Sequence, residues 1–431
     1  MRPMKAARCM SIGLWERNEM KTIWLVNPYG PIEGENWREY SFNQFGKFLS
    51  AKGYKVIWWT ASFSHHFKKQ RSPGWKDVVV NDNFIIRLVP TTSYTKNFGI
   101  GRMYKDFVFG INASKGFKDE TKPDLIIAAE NPITMGNPSY KYAKKNKIPM
   151  IYDQMDIWPE FIVSNLKKPL STIADVLFIP VCRRRKTIYD SLSGSIALGK
   201  HYLEFMHAVS PGLKNKPHAL VYNGIDVTEF RSHLNGKIRN TLISEMAERK
   251  LDDEIWCIFA GTLGPSYDIN GIIECAKECK ERGMNQFRFI IAGSGPYESS
   301  VREAEKECDN LIYVGKLLPE ELVPIYGRCD IGLSTYSSGS NVDMCDKFYD
   351  YTAAGLAIIN SLKGEISEHI AENDLGENYC ANSSESLMNA LCALNNFQRL
   401  KNCKNNSWNI GETFDKNKQN EKLGEVIMQI I

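Results

Sequence analysis

The chain has 431 residues, which is enough for two or three domains with substantial cores. Apolar residues make up 43% of the sequence and charged residues 24%, as is typical of a globular protein. The formal net charge of +4 is too small to indicate nucleic-acid binding, so we predict no nucleic-acid partner. No run of 18 apolar residues is present, and no membrane-spanning segment is predicted.

Cysteine and histidine usage argues against a disulfide framework and against a metal site. The eleven cysteines are scattered without any Cys-x-x-Cys pair, and the seven histidines show no ligand spacing. We therefore predict free thiols, a cytoplasmic location and no metal. Residues 1–19 lack the continuous apolar core of a signal peptide, and a strand pattern follows Met20 almost at once. We predict that 1–19 form an N-terminal extension that need not be native.

Strand and helix patterns alternate along the first half of the chain, which is typical of parallel sheets covered by helices. A helix is predicted from about residue 36 to Gly53, and residues 61–77 are predicted to form a polar, basic loop. The predicted strands of this half are 22–27, 54–60, 84–89, 124–129, 148–152, 194–198 and 218–222.

A second alternating series begins near Glu254, after Ser210-Pro211-Gly212 has broken the pattern. Its predicted strands are 255–260, 287–292, 311–314, 330–335 and 357–360. Its predicted helices lie near 268–282, 296–308, 319–327, 346–354 and 383–397. We predict an α/β protein with two Rossmann-like domains, over 20–214 and 215–408.

The segment from Lys347 to Asn360 is the most informative of the chain. Lys347 and Asp350 lie three residues apart and share one face at a helix start. Gly355 is predicted to end that helix before a short apolar strand. A cation here can meet phosphate, and a carboxylate can meet ribose hydroxyls. The alternative is an ordinary amphipathic helix with one exposed ion pair.

Two glycine-containing loops follow predicted strands of the second series. Gly261-Thr262-Leu263-Gly264 opens onto a helix, where backbone amides and the helix N-terminus favour a diphosphate. Gly293-Ser294-Gly295-Pro296 follows the next strand, but a dinucleotide fingerprint needs a further glycine at 298, which is Glu. That departure argues against an NAD-dependent dehydrogenase. A tight structural turn is the alternative for the second of these loops.

A carboxylate-rich segment follows the predicted strand at 148–152. Asp156 lies just past that strand, followed by Trp158 and Glu160, and such positions face the ligand crevice of open α/β sheets. Asp156 is predicted to orient or deprotonate a substrate hydroxyl. The alternative is a helix cap with Trp158 packed beneath it.

An apolar run from Val176 to Cys182 precedes four consecutive cations. Such a segment suits an anionic membrane surface, and each basic residue there adds only ~1 kcal/mol. The alternative is a buried helix that ends in a solvated basic turn. The residues predicted to contact the membrane are Arg183, Arg184, Arg185 and Lys186.

In their order along the chain, these motifs resemble the retaining family 4 glycosyltransferases of the GT-B fold, in particular those of bacterial surface-polysaccharide synthesis. The family's donor motif reads roughly Pro-x-Lys-x-x-Glu-Tyr-x-Ala-x-Gly-x-Pro, and here Asp350 replaces the glutamate and Ala357 the last proline. The family's interdomain Asn-Gly-Ile-Asp-x-x-x-Phe is complete over 223–230. Thr262 replaces the family's arginine, and 265–268 offer no lysine.

The resemblance implies roles for residues in both domains. Arg38 is expected either to supply the missing cation or to be a surface arginine, and Asp343 to replace the first glutamate of the family's Glu-x7-Glu motif. The catalytic set is Asp156, Lys347 and Asp350, and the acceptor side of the cleft is Asp156, Trp158 and Glu160. The implied donor-binding residues are Gly34, Arg38, Gly261, Thr262, Gly264, Gly293, Gly295, Lys316, Leu317, Asp343, Lys347 and Asp350.

The implied activity is a metal-independent hexosyl or N-acetylhexosaminyl transfer with retention of configuration. The donor is expected to be a nucleotide-sugar, with UDP as the nucleotide, and no other cofactor is expected. The acceptor is expected to be a lipid-linked oligosaccharide for capsule or O-antigen. Residues 20–214 would bind the acceptor, 215–408 the donor, and 409–431 would cross back to the first domain. The enzyme would be cytoplasmic, with peripheral attachment to the inner face of the cytoplasmic membrane.

Two alternatives stay open within the same fold. A UDP-sugar 2-epimerase would need no lipid acceptor, although more histidine and arginine would be expected around the phosphates. A non-catalytic, glycosyltransferase-like partner subunit would account for the missing cations of the loop at 261–267.

Overall fold

The computed structural model describes residues 20–35, 37–95, 99–130, 138–160, 163, 166–340 and 342–431. The predicted extension over 1–19 lies outside the described residues. The described chain contains two large sheets, of eight and six strands, and a two-stranded ribbon. An α/β architecture with parallel sheets in two domains is confirmed.

The first sheet has the strand order β10-β9-β8-β7-β1-β2-β6-β5. Its strands pair in parallel, except that β5 runs antiparallel to β6 at one edge. The strands of this part of the chain, with the β3–β4 ribbon, are β1 (Thr22–Val26), β2 (Lys55–Ala61), β3 (Phe63–Ser64), β4 (Lys69–Gln70), β5 (Lys76–Asn81), β6 (Phe84–Val89), β7 (Leu125–Ala129), β8 (Met150–Gln154), β9 (Gly194–Ala197) and β10 (His218–Leu220). Its helices are α1 (Ser41–Ala51), α2 (Ile100–Asp119), α3 (Pro138–Asn146), α4 (Leu170–Ser191) and α5 (Lys200–Val209).

Helices cover both faces of the first sheet, so its central strands are continuous apolar runs. All five residues of β1 are buried. On one face, Trp24 packs against Trp59 and against Phe117 of α2, with α3 and α4 alongside. On the other face, Phe45 of α1 shares a core with Leu423 near the end of the chain.

The second sheet has the order β13-β12-β11-β14-β15-β16, and all its strands are parallel. Its strands are β11 (Ile255–Ala260), β12 (Phe287–Ala292), β13 (Leu311–Gly315), β14 (Ile331–Ser334), β15 (Ala357–Asn360) and β16 (Gly376–Asn378). The remaining helices are α6 (Val227–His233), α7 (Thr241–Glu248), α8 (Ile269–Glu281), α9 (Glu298–Glu307), α10 (Pro319–Tyr326), α11 (Asp346–Ala354), α12 (Glu365–Glu372), α13 (Ser384–Leu394), α14 (Phe397–Gly411) and α15 (Lys416–Met428).

The chain passes between the two sheets twice, and the two crossings lie side by side. Ile225 donates its amide to Phe414 O at 3.1 Å and accepts from the Lys416 amide at 2.8 Å. A Cβ on Gly224 would lie 2.4 Å from Phe414 O, so only glycine allows this approach. Asp226 then caps α6 by accepting from the Glu229 amide at 2.8 Å.

Several structural details differ from the sequence predictions. Strand β10 pairs with β9, so the first sheet reaches Leu220 rather than ending at the predicted boundary of 214. The predicted loop at 61–77 contains the β3–β4 ribbon and the first residues of β5. Helix α2 was not predicted at all.

Helix α15 packs against α1 and β10, and therefore lies on the first domain.

Candidate active site

A cleft of about 1320 Å³ lies between the two domains. Its lining residues come from the ends of strands: Trp37 follows β1, Ala260 and Ala292 end β11 and β12, and Lys316 follows β13. The cleft therefore lies at the carboxyl edges of both sheets, where open α/β sheets bind ligands. Of the predicted donor residues, it brings together Arg38, Gly261, Thr262, Gly293, Lys316, Leu317, Lys347 and Asp350.

Lys347 lies in the first turn of α11 and is 8% exposed. Its Nζ lies 4.0 Å from the Tyr267 ring centroid, 4.9 Å from that of Tyr336 and 5.2 Å from that of Phe259. No carboxylate of the described chain lies within 4.0 Å of this ammonium group. Aromatic faces attract a cation without neutralising its charge, so Lys347 retains its capacity to bind an anion.

This aromatic cage was not predicted from the sequence. Phe259 belongs to strand β11, Tyr267 to the loop that precedes α8, and Tyr336 follows β14. Their positions at or after the ends of two neighbouring strands, β11 and β14, were the available signal, because such ends converge at one sheet edge.

The loop from Gly261 to Gly264 leaves few amides free for phosphate. The amide of Gly261 donates to Ala292 O at 2.9 Å, that of Leu263 to Ser294 O at 3.0 Å, and that of Gly264 to Thr262 O. These bonds correct the prediction that the whole loop cradles phosphate through its backbone. A Cβ at Gly261 would lie 3.0 Å from Lys347 Nζ, so this glycine leaves space for the ammonium group.

The second glycine loop packs tightly against the first. A Cβ on Gly293 would lie 1.8 Å from Gly261 O, and one on Gly295 would lie 2.4 Å from Leu263 O. Gly293 lines the cleft, whereas Gly295 lies outside its lining. Close packing of the two loops therefore accounts for both glycines.

Arg38 and Asp350 join the two domains across the cleft. Arg38 Nη2 bonds to Asp350 Oδ1, and Arg38 Nη1 lies 3.8 Å from Asp346 Oδ2. Burial raises the pKa of the Asp350 carboxyl, and the Arg38 charge opposes that rise. Arg38 is thus not a free surface arginine, and Asp350 does not pair with Lys347 as in the exposed-pair alternative.

Lys316 and Leu317 follow β13 and line the cleft from the second domain. Lys316 Nζ lies 5.8 Å from the Trp37 ring centroid, so these two residues approach each other from different domains. Trp37 in turn packs against His66, with ring centroids 4.1 Å apart and the ring planes tilted by 41°. Gly34 and Gly264 do not line the cleft.

Asp343 is turned away from the cleft and towards the first domain. It accepts from the His201 amide at 3.2 Å and pairs with His201 Nδ1 at 2.7 Å, at the start of α5. It also accepts from the Glu365 amide at 3.0 Å. With these partners, the structure places Asp343 in an interdomain contact rather than among the predicted donor contacts.

The predicted acceptor residues lie beside β8 and outside the cleft lining. Burial raises the pKa of the Asp156 carboxyl, which suits a group that holds a proton. Glu160 forms a two-pronged ion pair with Arg185, at 2.7 Å for Nη1 and closer for Nη2, and Arg185 also donates to Trp158 O.

That ion pair corrects the predicted membrane contact. Arg185 is 3% exposed and points into the protein, so it cannot reach a membrane surface. Lys186 pairs with Asp190 at 2.9 Å, and the Arg184 guanidinium lies over the Tyr140 ring at 4.5 Å. Of the four cations, Arg183 is exposed and has no ion pair within the described chain.

The apolar part of the same helix is exposed, which excludes the buried-helix alternative. Helix α4 presents Leu170, Ile173, Val176, Leu177 and Ile179 to solvent. Helix α2, on the same face of the sheet, presents Ile100, Met103, Tyr104, Phe107 and Ile111 at helical spacing. We call these ten side chains, five on each of two separate helices, the apolar surface.

Neither helix crosses a bilayer: within the described residues, none is both long enough and apolar enough to do so. The described residues also contain no cluster of three or more His, Cys, Asp or Glu side chains arranged to hold a metal ion.

Comparison with known proteins agrees with this geometry. Residues 254–396 match the family model of glycosyl transferases group 1. No curated protein matches the sequence. Similar solved structures include a sucrose-phosphate synthase from Thermosynechococcus elongatus, with 14% identity, a TM-score of 0.68 and 95% and 99% of the two chains covered.

Two further structures share the fold at similar distance. Anabaena Alr3699/HepE in complex with UDP is 13% identical with a TM-score of 0.64, over 95% of this chain and 100% of that one. WaaG, a glycosyltransferase involved in lipopolysaccharide biosynthesis, is 14% identical with a TM-score of 0.60, over 94% and 99%. The fold of this chain is therefore GT-B.

Proposed function

We propose that this protein is a retaining GT-B glycosyltransferase similar to family 4. It would transfer a hexosyl or N-acetylhexosaminyl group from a UDP-sugar to a hydroxyl of a lipid-linked oligosaccharide. The observation that carries the proposal is Lys347: a buried ammonium group without a carboxylate partner, facing the cleft beside Gly261 and one turn from Asp350. The match over 254–396 and the UDP complex of a similar structure support the same reading.

The reaction must stabilise a leaving diphosphate, and fixed cations meet that charge without a metal. Lys347 would bind the phosphates, and Arg38 would supply the second cation that the loop at 261–264 lacks. Asp350 would accept hydrogen bonds from the ribose hydroxyls. This role requires Arg38 to move from the Asp350 carboxylate to the phosphates. Lys316 and Leu317 would lie near the base.

Asp156 would orient the acceptor hydroxyl or hold its proton, because its raised pKa keeps the proton at a higher pH. Trp158 and Glu160 would support that segment through their contacts with Arg185. In a front-face transfer the acceptor hydroxyl attacks the sugar directly, and the leaving phosphate can itself take the hydroxyl proton. We therefore assign no nucleophile to the protein.

The apolar surface and Arg183 would attach the first domain to the inner face of the cytoplasmic membrane, as synthesis of capsule or O-antigen on a lipid carrier requires. Such attachment is peripheral, because apolar side chains and a few cations give reversible binding.

Turnover tests the proposal. The protein would be incubated with UDP-glucose, UDP-galactose and their N-acetylhexosamine counterparts, with and without extracted lipid-linked oligosaccharides, and products identified by mass spectrometry. We expect sugar transfer by the wild type and by Lys363→Ala, an exposed lysine of the same domain, but not by Lys347→Ala.

The same assay separates the alternatives. Conversion of a UDP-sugar to its 2-epimer without acceptor would establish the epimerase. Binding of a UDP-sugar with neither reaction would indicate the non-catalytic partner subunit, and the absence of any binding would reject all three functions.

A further inference from the structure

Trp37 is an aromatic residue of the cleft to which the proposed reaction gives no role. It lies in the loop between β1 and α1 and is half-buried. Its ring packs against the His66 ring, with centroids 4.1 Å apart, and the Phe67 ring meets it edge-on at 6.3 Å. Both neighbours lie in the turn of the β3–β4 ribbon. Two aromatic rings of a second loop therefore hold the indole in position at the cleft.

Trp37 and the residue that follows it both reach the second domain. Arg38 bonds to Asp350 of α11, and the Lys316 ammonium group, after β13, lies over the Trp37 ring at 5.8 Å from its centroid. Burial lowers the pKa of His66, and the charge of Lys316 lowers it further, so this cation also acts on His66 across the cleft. One face of the indole is therefore directed at the second domain.

The ends of three neighbouring strands connect the phosphate side of the cleft with Lys316. The Gly261 amide, after β11, donates to the last residue of β12 at 2.9 Å, and the amide that follows β12 donates to the last residue of β13 at 2.8 Å. Neighbouring strands lie about 4.8 Å apart, so this row spans ~10 Å. A nucleoside diphosphate whose phosphates bind Lys347, beside Gly261, can extend along this row and bring its base to Trp37 and Lys316.

We propose that Trp37 stacks on the base of the bound nucleotide, so that the first domain contributes directly to donor binding. The base would lie against the indole face that is directed at Lys316. Lys316 is exposed and its side chain is flexible, so its ammonium group can move to the edge of the base, where the carbonyl oxygens of uracil accept hydrogen bonds. The inference rests on the proposed function and adds a donor contact from the domain assigned to the acceptor.

Calorimetric titration of UDP and of inorganic diphosphate into the full-length protein tests the stacking, because only UDP carries a base. We expect Trp37→Ala to weaken UDP binding about tenfold, as loss of one base–aromatic stack predicts, and to leave diphosphate binding unchanged. Trp37→Phe retains an aromatic face and should keep most of the UDP affinity. Trp75→Ala removes an exposed tryptophan of the same domain that lies outside the cleft lining, and should bind both ligands as the wild type does.

Tryptophan fluorescence gives a second readout, which does not depend on measurable binding of diphosphate. A base stacked on an indole quenches its emission, so UDP should lower the fluorescence of the wild type. Trp37→Phe should lose that quenching although it still binds UDP, whereas Trp75→Phe, the matched control, should retain it.

Equal UDP affinity of the wild type and Trp37→Ala would overturn the inference, as would equal quenching of the wild type and Trp37→Phe. A loss of diphosphate binding by Trp37→Ala that equals its loss of UDP binding would also overturn it, because Trp37 would then act on the phosphates through the adjacent Arg38 rather than on the base.

This inference and the proposed function fail separately. If UDP binds equally to the wild type and to Trp37→Ala, stacking is excluded while the donor site of the proposed function stands. If UDP binds through Trp37 but no UDP-sugar is turned over, the proposed transferase fails while the nucleotide site stands. The absence of UDP binding to the wild type would overturn both.

Discussion

Arg38 shows how a single residue gains a role only through the fold. It lies 312 positions from Asp350 in the chain, yet the two side chains bond across the cleft. Each is only partly exposed, at 22% and 15% of the side chain, so each charge depends on its partner for neutralisation.

Substitution of this pair is expected to be non-additive. Arg38→Gln and Asp350→Asn should each lower the free energy of unfolding by about 1–3 kcal/mol, because each leaves a partly buried group unpaired. The double variant should lose less than the sum. Urea unfolding of the four proteins measures the coupling, and strictly additive losses would show that the contact contributes nothing.

Asp153 provides a second prediction at this scale. Its side chain is wholly buried at the end of β8, and neither carboxyl oxygen has a hydrogen-bond partner within the part of the chain that the structure describes. Burial raises its pKa to about 8. The folded protein therefore holds this proton above the unfolded pKa of about 3.9.

Stability should consequently fall as pH rises from about 4 to 8, by at most ~1.4 kcal/mol per pH unit from this group. Asp153→Asn is neutral at every pH and should remove that part of the slope. Unfolding at a series of pH values measures it. Parallel pH profiles for the two proteins would mean that Asp153 titrates normally.

Sequence motifs predicted residue types better than residue contacts. Lys347, Asp350, Gly261 and Arg38 could be selected because each belongs to a local sequence motif, and the cleft brings these motifs together. Asp343 could not be placed, because its partner His201 lies 142 positions away in the other domain.

At the scale of elements, α4 and α2 determine how the first domain meets its surroundings. Their exposed side chains belong to the apolar surface, while Arg185 points inward to Glu160. Four adjacent cations look equivalent in sequence, but helical periodicity directs them to different sides.

Binding of the protein to membrane vesicles should depend on the side chains that are exposed on these helices. Val176→Glu with Leu177→Glu should abolish binding to anionic vesicles, and Arg183→Gln should weaken it about fivefold, as ~1 kcal/mol per surface cation predicts. Lys401→Gln, an exposed lysine of the second domain, should have no effect. Sedimentation with phosphatidylglycerol vesicles tests this, and unchanged binding of the double variant would exclude the apolar surface.

Most strands were predictable as elements because buried parallel strands are compact apolar runs. Among the elements that were not predicted, helix α2 and strand β5 have a clear physical reason. Helix α2 has three glycines in or beside its turns, at 101, 110 and 116, which weaken its helical signal. Strand β5 alternates exposed and half-buried residues at a sheet edge, so no strand was predicted there, and the basic loop predicted over 61–77 includes its first two residues.

At the scale of the whole molecule, two sets of polar contacts join the domains within the described residues: the Arg38 pair and a cluster at the start of α5. In that cluster, Lys200 and His201 of the first domain meet Asp343, Glu365 and Glu368 of the second. The hydrogen bond that the His201 ring donates to Asp343 raises the pKa of His201.

The contact that holds the two domains in this closed arrangement should therefore depend on pH. Protonated His201 stabilises the closed arrangement fully below its unfolded pKa of about 6.5, and this contribution is lost as pH rises through the raised folded pKa. X-ray scattering should show a larger radius of gyration at pH 8.5 than at pH 6. His201→Gln should remove the difference, whereas His233→Gln, an exposed control, should retain it. A pH-independent radius in the wild type would contradict this account.

The two-domain architecture was predictable because the alternation of elements repeats twice, and the order of its motifs indicated GT-B. The relative placement of side chains across the cleft was not, since it depends on two crossings that pack against each other at Gly224 and Phe414.

The central claim is that this cleft binds a nucleoside diphosphate through Lys347, and calorimetric titration of UDP tests it most directly. We expect the wild type and Lys363→Ala to bind UDP with equal affinity, and Lys347→Ala to bind at least about tenfold more weakly, since an ammonium–phosphate contact contributes ~1.5–3 kcal/mol. Equal binding of UDP to all three proteins, or no binding to the wild type, would contradict it.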